Sequence, residues 1–101
     1  MGKKRVLIVE DETSVALLLK DSLADLSPDC EVETVASGED ALREIEKSTW
    51  DIVITDQRMP GITGLELIET LKQKAPATLT ILITAYGSDQ IEQAAQRLNV
   101  Y

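Results

Sequence analysis

Acidic side chains follow two apolar runs of the sequence and could together hold a metal ion. Glu10 and Asp11 come directly after the apolar run at residues 6–9, and Asp56 comes shortly after the run at residues 52–54. Carboxylates brought close together repel one another and raise each other's pKa, and a bound divalent cation removes that penalty. Carboxylate, backbone carbonyl and water oxygens are the ligands that Mg²⁺ prefers. The sequence therefore predicts a magnesium site, provided that the two runs are neighbouring strands.

Each of these polar residues also has a purely structural interpretation. An acid after a strand is often the N-cap of the next helix, where the helix dipole favours it. This interpretation remains open for Glu10 and for Glu12 taken singly, but it is poor for Asp56, because the next helix begins only near Thr63. Thr84 follows the last apolar run, and a hydroxyl that merely ends a strand is the alternative to a chemical role.

The acids can meet only if the apolar runs form parallel strands side by side. The runs at residues 6–9, 52–54 and 79–83 are almost uniformly apolar, which is typical of strands buried on both faces of a helix-covered parallel sheet. A weaker strand at residues 31–36 is expected at an edge. Ligand sites of such sheets lie beyond the carboxyl ends of the strands, where the strand order reverses. We therefore expect the tips of the first and third strands to bring the acids into one pocket.

Helical patterns separate these strands. Ser37 with Asp40 and Thr63 with Glu66 are capping signatures for the second and third helices, and a fourth helix is predicted over residues 91–98. The first helix carries an apolar stripe that we expect to face the sheet. That stripe comprises Val15, Leu18, Leu19, Leu23 and Leu26. Strict alternation of strands and helices predicts an α/β fold, a three-layer sandwich around a parallel sheet with right-handed crossovers.

Composition excludes several classes of function. The chain has 101 residues, 44% of them hydrophobic, which is enough for one small domain with one core. Its net charge of −8 argues against nucleic acid and anionic membranes as partners. There is no histidine, which removes Ser-His-Asp catalysis and ordinary zinc sites. One cysteine allows no intramolecular disulfide, which fits a reducing, cytoplasmic setting, and the first apolar run is too short to span a membrane.

Three segments resemble the receiver domain of bacterial two-component response regulators. They are RVLIVEDE, DIVITDQRMPGITGLELI and ILITAYGS, which occur in the family's order and spacing and extend the resemblance over essentially the whole chain. The resemblance implies a flavodoxin-like sandwich with strand order 2-1-3-4. Members of this family normally have five strands and five helices, so we expect residues 1–101 to be a receiver domain truncated before its fifth strand, with the fifth strand and fifth helix missing.

The resemblance also implies roles for individual residues. Asp56 is expected to be the phosphoacceptor, which takes a phosphoryl group from a sensor histidine kinase or a phosphotransfer protein. Asp11 would bind Mg²⁺ directly and Glu10 through water, and Asp56 and the backbone carbonyl of Arg58 would complete the protein ligands. The further implied positions are Thr84 and Ala85 for the switch and phosphoryl contact, Met59, Pro60 and Gly61 for the shape of the loop, and Tyr86 as a candidate partner contact.

The chain also lacks a lysine that the family carries, and two rival interpretations remain open. The family's lysine at the end of the fifth strand has no match among the ten basic residues. Without a fifth strand, the fourth strand would present an open edge, which predicts self-association. A pseudo-receiver would act as an interaction or dimerisation module without phosphotransfer. A phosphatase of the haloacid-dehalogenase type would need a second aspartate two residues after Asp56, where this chain has Arg58.

Overall fold

Strands and helices alternate throughout the computed structural model, which describes residues 4–26 and 28–83. The elements are β1 (Lys4–Val9), α1 (Thr13–Leu26), β2 (Cys30–Val35), α2 (Gly38–Lys47), β3 (Ile52–Asp56), α3 (Gly64–Lys74) and β4 (Leu79–Ile83). The predicted alternation is thus confirmed from β1 to β4. The predicted fourth helix and the expected absence of a fifth strand and helix concern residues 84–101, which lie outside the described residues. Within the described ranges, no helix has the length and apolar character needed to cross a bilayer.

The sheet is parallel, and its strand order is β2-β1-β3-β4. This order confirms the predicted flavodoxin-like fold class and places β2 at an edge, as its weaker pattern indicated. Val9 of β1 lies opposite Thr55 of β3. The two strands therefore end side by side, and Glu10 and Asp56 follow Val9 and Thr55 at the same rim of the sheet. Self-association through the edge of β4 also depends on residues 84–101 and stays a prediction.

The core lies on both faces of the sheet, and β1 contributes to each. Leu7 and Val9 face α2 and α3, whereas Val6 and Ile8 face α1, and all four side chains are at most 2% exposed. The α2–α3 side contains Leu7, Val9, Ala41, Trp50, Val53, Met59, Leu67 and Leu71. Full burial of one Val, Leu or Met side chain stabilises the fold by roughly 1.5–3 kcal/mol. Because β1 is held from both faces, the position of its carboxyl end is fixed by packing.

Helix α1 differs from its prediction at two positions of the apolar stripe. Leu19 and Leu23 pack against the core as expected, but Leu18 is 65% exposed and Leu26 is 80% exposed. Leu18 lies about 100° around the helix from Leu19, which puts it on the flank rather than on the face toward the sheet. Leu26 is the last residue of α1. Ala16, which the stripe did not include, is buried instead.

Polar contacts around Arg5 fix the base of the sheet, at the end opposite to the acids. Asp51 Oδ2 accepts a hydrogen bond from the Arg5 backbone N–H at 2.8 Å, and the Asp51 backbone N–H donates to the Arg5 carbonyl at 3.0 Å. The Arg5 guanidinium lies 4.1 Å from the centroid of the Trp50 ring. The indole N–H of Trp50 donates to the Glu44 carbonyl at 3.2 Å. These contacts hold β1 and β3 in register at their amino ends.

Candidate metal centre

Three carboxylates meet at the rim where β1 and β3 end. Glu10, Asp11 and Asp56 each offer an oxygen, and these oxygens all lie within 4.8 Å of one another. Glu10 is buried with 8% exposure, Asp56 is half-buried, and Asp11 is exposed. The structure therefore brings together the acids that the sequence places after separate strands. The cluster therefore extends from the buried rim of the sheet at Glu10 to the protein surface at Asp11.

Burial and neighbouring charge act together on Glu10. Removal of its carboxyl group from water, and then the nearby charges of Asp56 and Asp11, raise the pKa of Glu10 from 4.5 to about 6. A hydrogen bond from the Glu12 backbone N–H to Glu10 Oε1, at 3.1 Å, lowers the pKa and so offsets part of this effect. Three hard oxygen donors whose ionised forms repel one another fit a small divalent cation such as Mg²⁺.

Asp56 ends β3 and is held through its backbone. It lies opposite Ile83 of β4 in the parallel register, and its carbonyl accepts a hydrogen bond from the Thr55 hydroxyl at 3.0 Å. The Arg58 backbone N–H lies 3.5 Å from Asp56 Oδ1, at the long limit of a hydrogen bond. Arg58 is exposed in the turn that follows, and a metal-ligand role for its carbonyl is taken up below as part of the proposal.

The loop after Asp56 is anchored at Met59 and turns at Gly61. Met59 is buried in the α2–α3 side of the core, and its sulfur lies 3.9 Å from the Thr55 hydroxyl oxygen. Pro60 is exposed. Gly61 has a φ of 82°, in the left-handed region that favours glycine. A side chain at position 61 would be strained by this backbone conformation, and its Cβ atom would also displace the Glu39 carboxylate, so the path of the loop favours glycine here.

Gln57 was missed by the sequence-based reasoning, although it accepts hydrogen bonds from the first two N–H groups of α3. Its backbone carbonyl accepts from the Gly64 N–H at 3.1 Å, and its side-chain Oε1 accepts from the Leu65 N–H at 2.9 Å. The next N–H, of Glu66, donates to Thr63 Oγ1 at 3.2 Å in the predicted capping box, which is confirmed. The available signal was an amide residue standing between the end of a strand and a capping box.

Thr84, Ala85 and Tyr86 lie outside the described residues, and their suggested roles stay predictions.

Comparisons with known proteins agree on one family. The family profile named response regulator receiver domain matches residues 6–101. The regulatory protein LuxO of Vibrio cholerae is 33% identical over 90 residues, which cover 89% of this chain and 19% of that protein. The response regulator protein PilR of Pseudomonas aeruginosa is 32% identical over 98 residues, which cover 97% of this chain and 21% of that protein. The chain thus spans about a fifth of the length of these two relatives.

Solved structures show the same fold. The chemotaxis protein CheY4 of Vibrio cholerae superposes with a TM-score of 0.87 at 28% identity, covering 98% of this chain and 82% of that one. The response regulator protein TrrA of Thermotoga maritima, solved in complex with Mg²⁺-BeF, gives a TM-score of 0.83 at 35% identity, covering 92% of this chain and 79% of that one.

Proposed function

Because the chain belongs to the response regulator receiver domain family, we propose that it accepts a phosphoryl group on Asp56 with the help of Mg²⁺. The observation that carries this proposal is the cluster of Glu10, Asp11 and Asp56, whose oxygens lie within 4.8 Å of one another. Glu10 and Asp11 are thus the acids beside Asp56, the nucleophile proposed here. The complex of the similar TrrA structure with Mg²⁺-BeF supports the choice of ion.

The proposed chemistry makes Asp56 the nucleophile and all three acids ligands of the ion. A carboxylate oxygen of Asp56 attacks the phosphorus of a phosphohistidine, the phosphorus–nitrogen bond breaks, and the histidine nitrogen leaves with the electron pair. The product is an acyl phosphate on Asp56. Glu10 and Asp11, with Asp56 and the carbonyl of Arg58, would hold the ion. When bound, Mg²⁺ neutralises the charge on the transferring phosphoryl oxygens.

The proposed donor is a sensor histidine kinase or a phosphotransfer protein, since receiver domains interact with these proteins. Receiver domains are signalling domains rather than classical enzymes, which agrees with the preference for a signalling role over a phosphatase. In the same proposal, Thr84 and Ala85 contact the phosphoryl group after transfer. The net charge of −8 predicts that nucleic acid and anionic membranes are not partners. This exclusion and a cytoplasmic location stay predictions.

Phosphorylation by a small donor tests the proposal. The chain is incubated with acetyl phosphate and Mg²⁺, and intact-mass spectrometry then measures the gain of one phosphoryl group. We expect the gain in the unsubstituted chain, its loss on chelation of Mg²⁺, and its loss in Asp56→Asn. Asp51→Asn is the matched control, because Asp51 lies just before the other end of β3 and an asparagine oxygen can still accept the hydrogen bond from Arg5.

Two results would refute the assignment. One is a phosphoryl gain in Asp56→Asn equal to that of the unsubstituted chain. The other is the absence of a gain in the unsubstituted chain while circular dichroism shows that it is folded.

A further inference from the structure

We propose that Gln57 is a positioning residue, whose side chain holds the first turn of α3 against the end of β3 and thereby fixes the direction of the Asp56 carboxylate. This inference rests on the function proposed above for Asp56. Gln57 itself touches neither the acids' ligand oxygens nor the transferred group in this assignment. Its effect is exerted through the peptide bond that joins it to Asp56.

The start of α3 depends on Gln57 for two of its first three backbone donors. The first N–H groups of a helix have no partner inside the helix and must be satisfied from outside. Gly64 donates to the Gln57 carbonyl at 3.1 Å and Leu65 donates to Gln57 Oε1 at 2.9 Å, while Glu66 donates to Thr63. Because these donors are paired within the protein, the first turn of α3 is not an open anion-binding site. Its hydrogen bonds instead hold the loop at Gln57 in place.

The start of α3 also packs directly against the backbone of Asp56, the proposed phosphoacceptor. A Cβ atom at Gly64 would collide with the backbone carbonyl oxygen of Asp56 and would come within 2.8 Å of Leu82 Cδ1. The Gln57 N–H donates to the Ile83 carbonyl at 3.2 Å. Gln57 thus joins the ends of β3 and β4 to the start of α3. A change in the orientation of its peptide would turn Asp56 with it.

The side-chain bond is the contact that depends on residue type. The two backbone bonds of Gln57 could be made by any residue other than proline, but only an acceptor of suitable reach can pair with the Leu65 N–H. Leu65 is half-buried, so an apolar side chain at position 57 would leave this donor unpaired. We therefore expect loss of the Gln57 acceptor to loosen the turn that carries Asp56, beyond its effect on folding.

Two matched substitutions separate positioning from simple stability. Gln57→Met keeps the length of the side chain and removes the acceptor for the Leu65 N–H. Thr63→Ala removes the acceptor for the Glu66 N–H in the same turn of the same helix, at a residue that the structure does not join to Asp56. Both variants are studied at a temperature at which circular dichroism shows them folded. Should Gln57→Met not fold, Gln57→Asn takes its place, because its shorter polar side chain also loses the reach to Leu65.

The measurements are beryllofluoride binding with Mg²⁺, followed by NMR titration, and hydrogen exchange of the Leu65 amide. Partners that orient metal ligands change affinity by about ten-fold or more when removed. We expect Gln57→Met to weaken binding to that extent and to lose protection of the Leu65 amide. Thr63→Ala should bind within about two-fold of the unsubstituted chain, since loss of a cap acts on folding.

Each outcome decides between the possibilities. Equal binding by Gln57→Met and the unsubstituted chain would overturn the positioning role and leave the proposed function intact, and so would equal weakening by both variants. If the unsubstituted chain itself fails to bind beryllofluoride while its Leu65 amide is protected, the proposed function is wrong, and the positioning role falls with it.

Discussion

Replacing Glu10 with glutamine should stabilise the folded chain above pH 6 when divalent cations are absent. The pKa of Glu10 is raised from 4.5 to about 6, first by burial and then by the charges of Asp56 and Asp11. One pKa unit corresponds to about 1.36 kcal/mol, so ionised Glu10 destabilises the fold by about 2 kcal/mol. Glutamine removes the charge and keeps an oxygen for the hydrogen bond from Glu12.

The sign of the pH dependence follows from which state holds the proton more tightly. The folded chain binds the Glu10 proton more tightly than the unfolded chain, because the folded pKa is the higher one. The contribution of Glu10 to stability is therefore fully present below pH 4.5 and is lost as the pH rises through about 6. The advantage of Glu10→Gln should be absent at the acidic end and reach about 1–2 kcal/mol above pH 6.

Urea unfolding followed by far-UV circular dichroism in the presence of a chelator measures this difference across the pH range. Glu12→Gln is the matched control, because it removes the same charge from an exposed residue two positions away, and such surface changes usually stay within about 0.5 kcal/mol. Adding Mg²⁺ should reverse the ranking. An ion that binds only the folded state stabilises it by about 2.7 kcal/mol at 100 times its dissociation constant, and the variant has lost one of its carboxylates.

Two observations would contradict this electrostatic reasoning. One is a stability difference between Glu10→Gln and the unsubstituted chain that does not change with pH. The other is a gain at neutral pH that Glu12→Gln reproduces in full.

Three further substitutions test the packing that supports the site, each by urea unfolding. Gly64→Ala should lose roughly 1–3 kcal/mol, because its Cβ would overlap the Asp56 carbonyl oxygen; unchanged stability would show that this approach can relax. Thr80→Val should gain about 1 kcal/mol, since the buried Thr80 hydroxyl has no hydrogen-bond partner within the described part of the chain. Thr78→Val should instead lose about 1 kcal/mol, because the Thr78 hydroxyl, which is also buried, donates to the Trp50 carbonyl at 2.7 Å. A gain in stability in Thr78→Val would contradict this reasoning.

Features of the fold that depend on local or periodic signals could be predicted from the sequence. Strands buried on both faces carry uninterrupted apolar runs, which is why β1, β3 and β4 were found close to their observed limits. Capping is local, so the hydrogen bonds of Ser37 with Asp40 and of Thr63 with Glu66 were also predicted. The parallel order of the strands then placed the acids at one rim.

Features that depend on the path of a loop or on a distant neighbour could not be predicted. The exposure of Leu18 follows from which strands α1 packs on, and periodicity alone does not contain that information. The bond from Gln57 to Leu65 spans eight residues through an irregular loop. Glu10 is buried and Asp11 exposed although they are adjacent and both acidic. The Glu10 N–H still donates to the Val35 carbonyl of β2 at 3.0 Å, just after β1 ends, whereas Asp11 lies in the bend that follows.

The chain contains one tryptophan, and its position gives the protein an internal optical probe of folding. Trp50 is 2% exposed beneath the Arg5 guanidinium, just before β3, whereas Asp56 is the last residue of that strand. Six positions separate Trp50 from Asp56, which corresponds to about 20 Å along an extended chain. The fluorescence of Trp50 should therefore change when the amino ends of β1 and β3 separate. It should change little when an ion or a phosphoryl group binds at the acids.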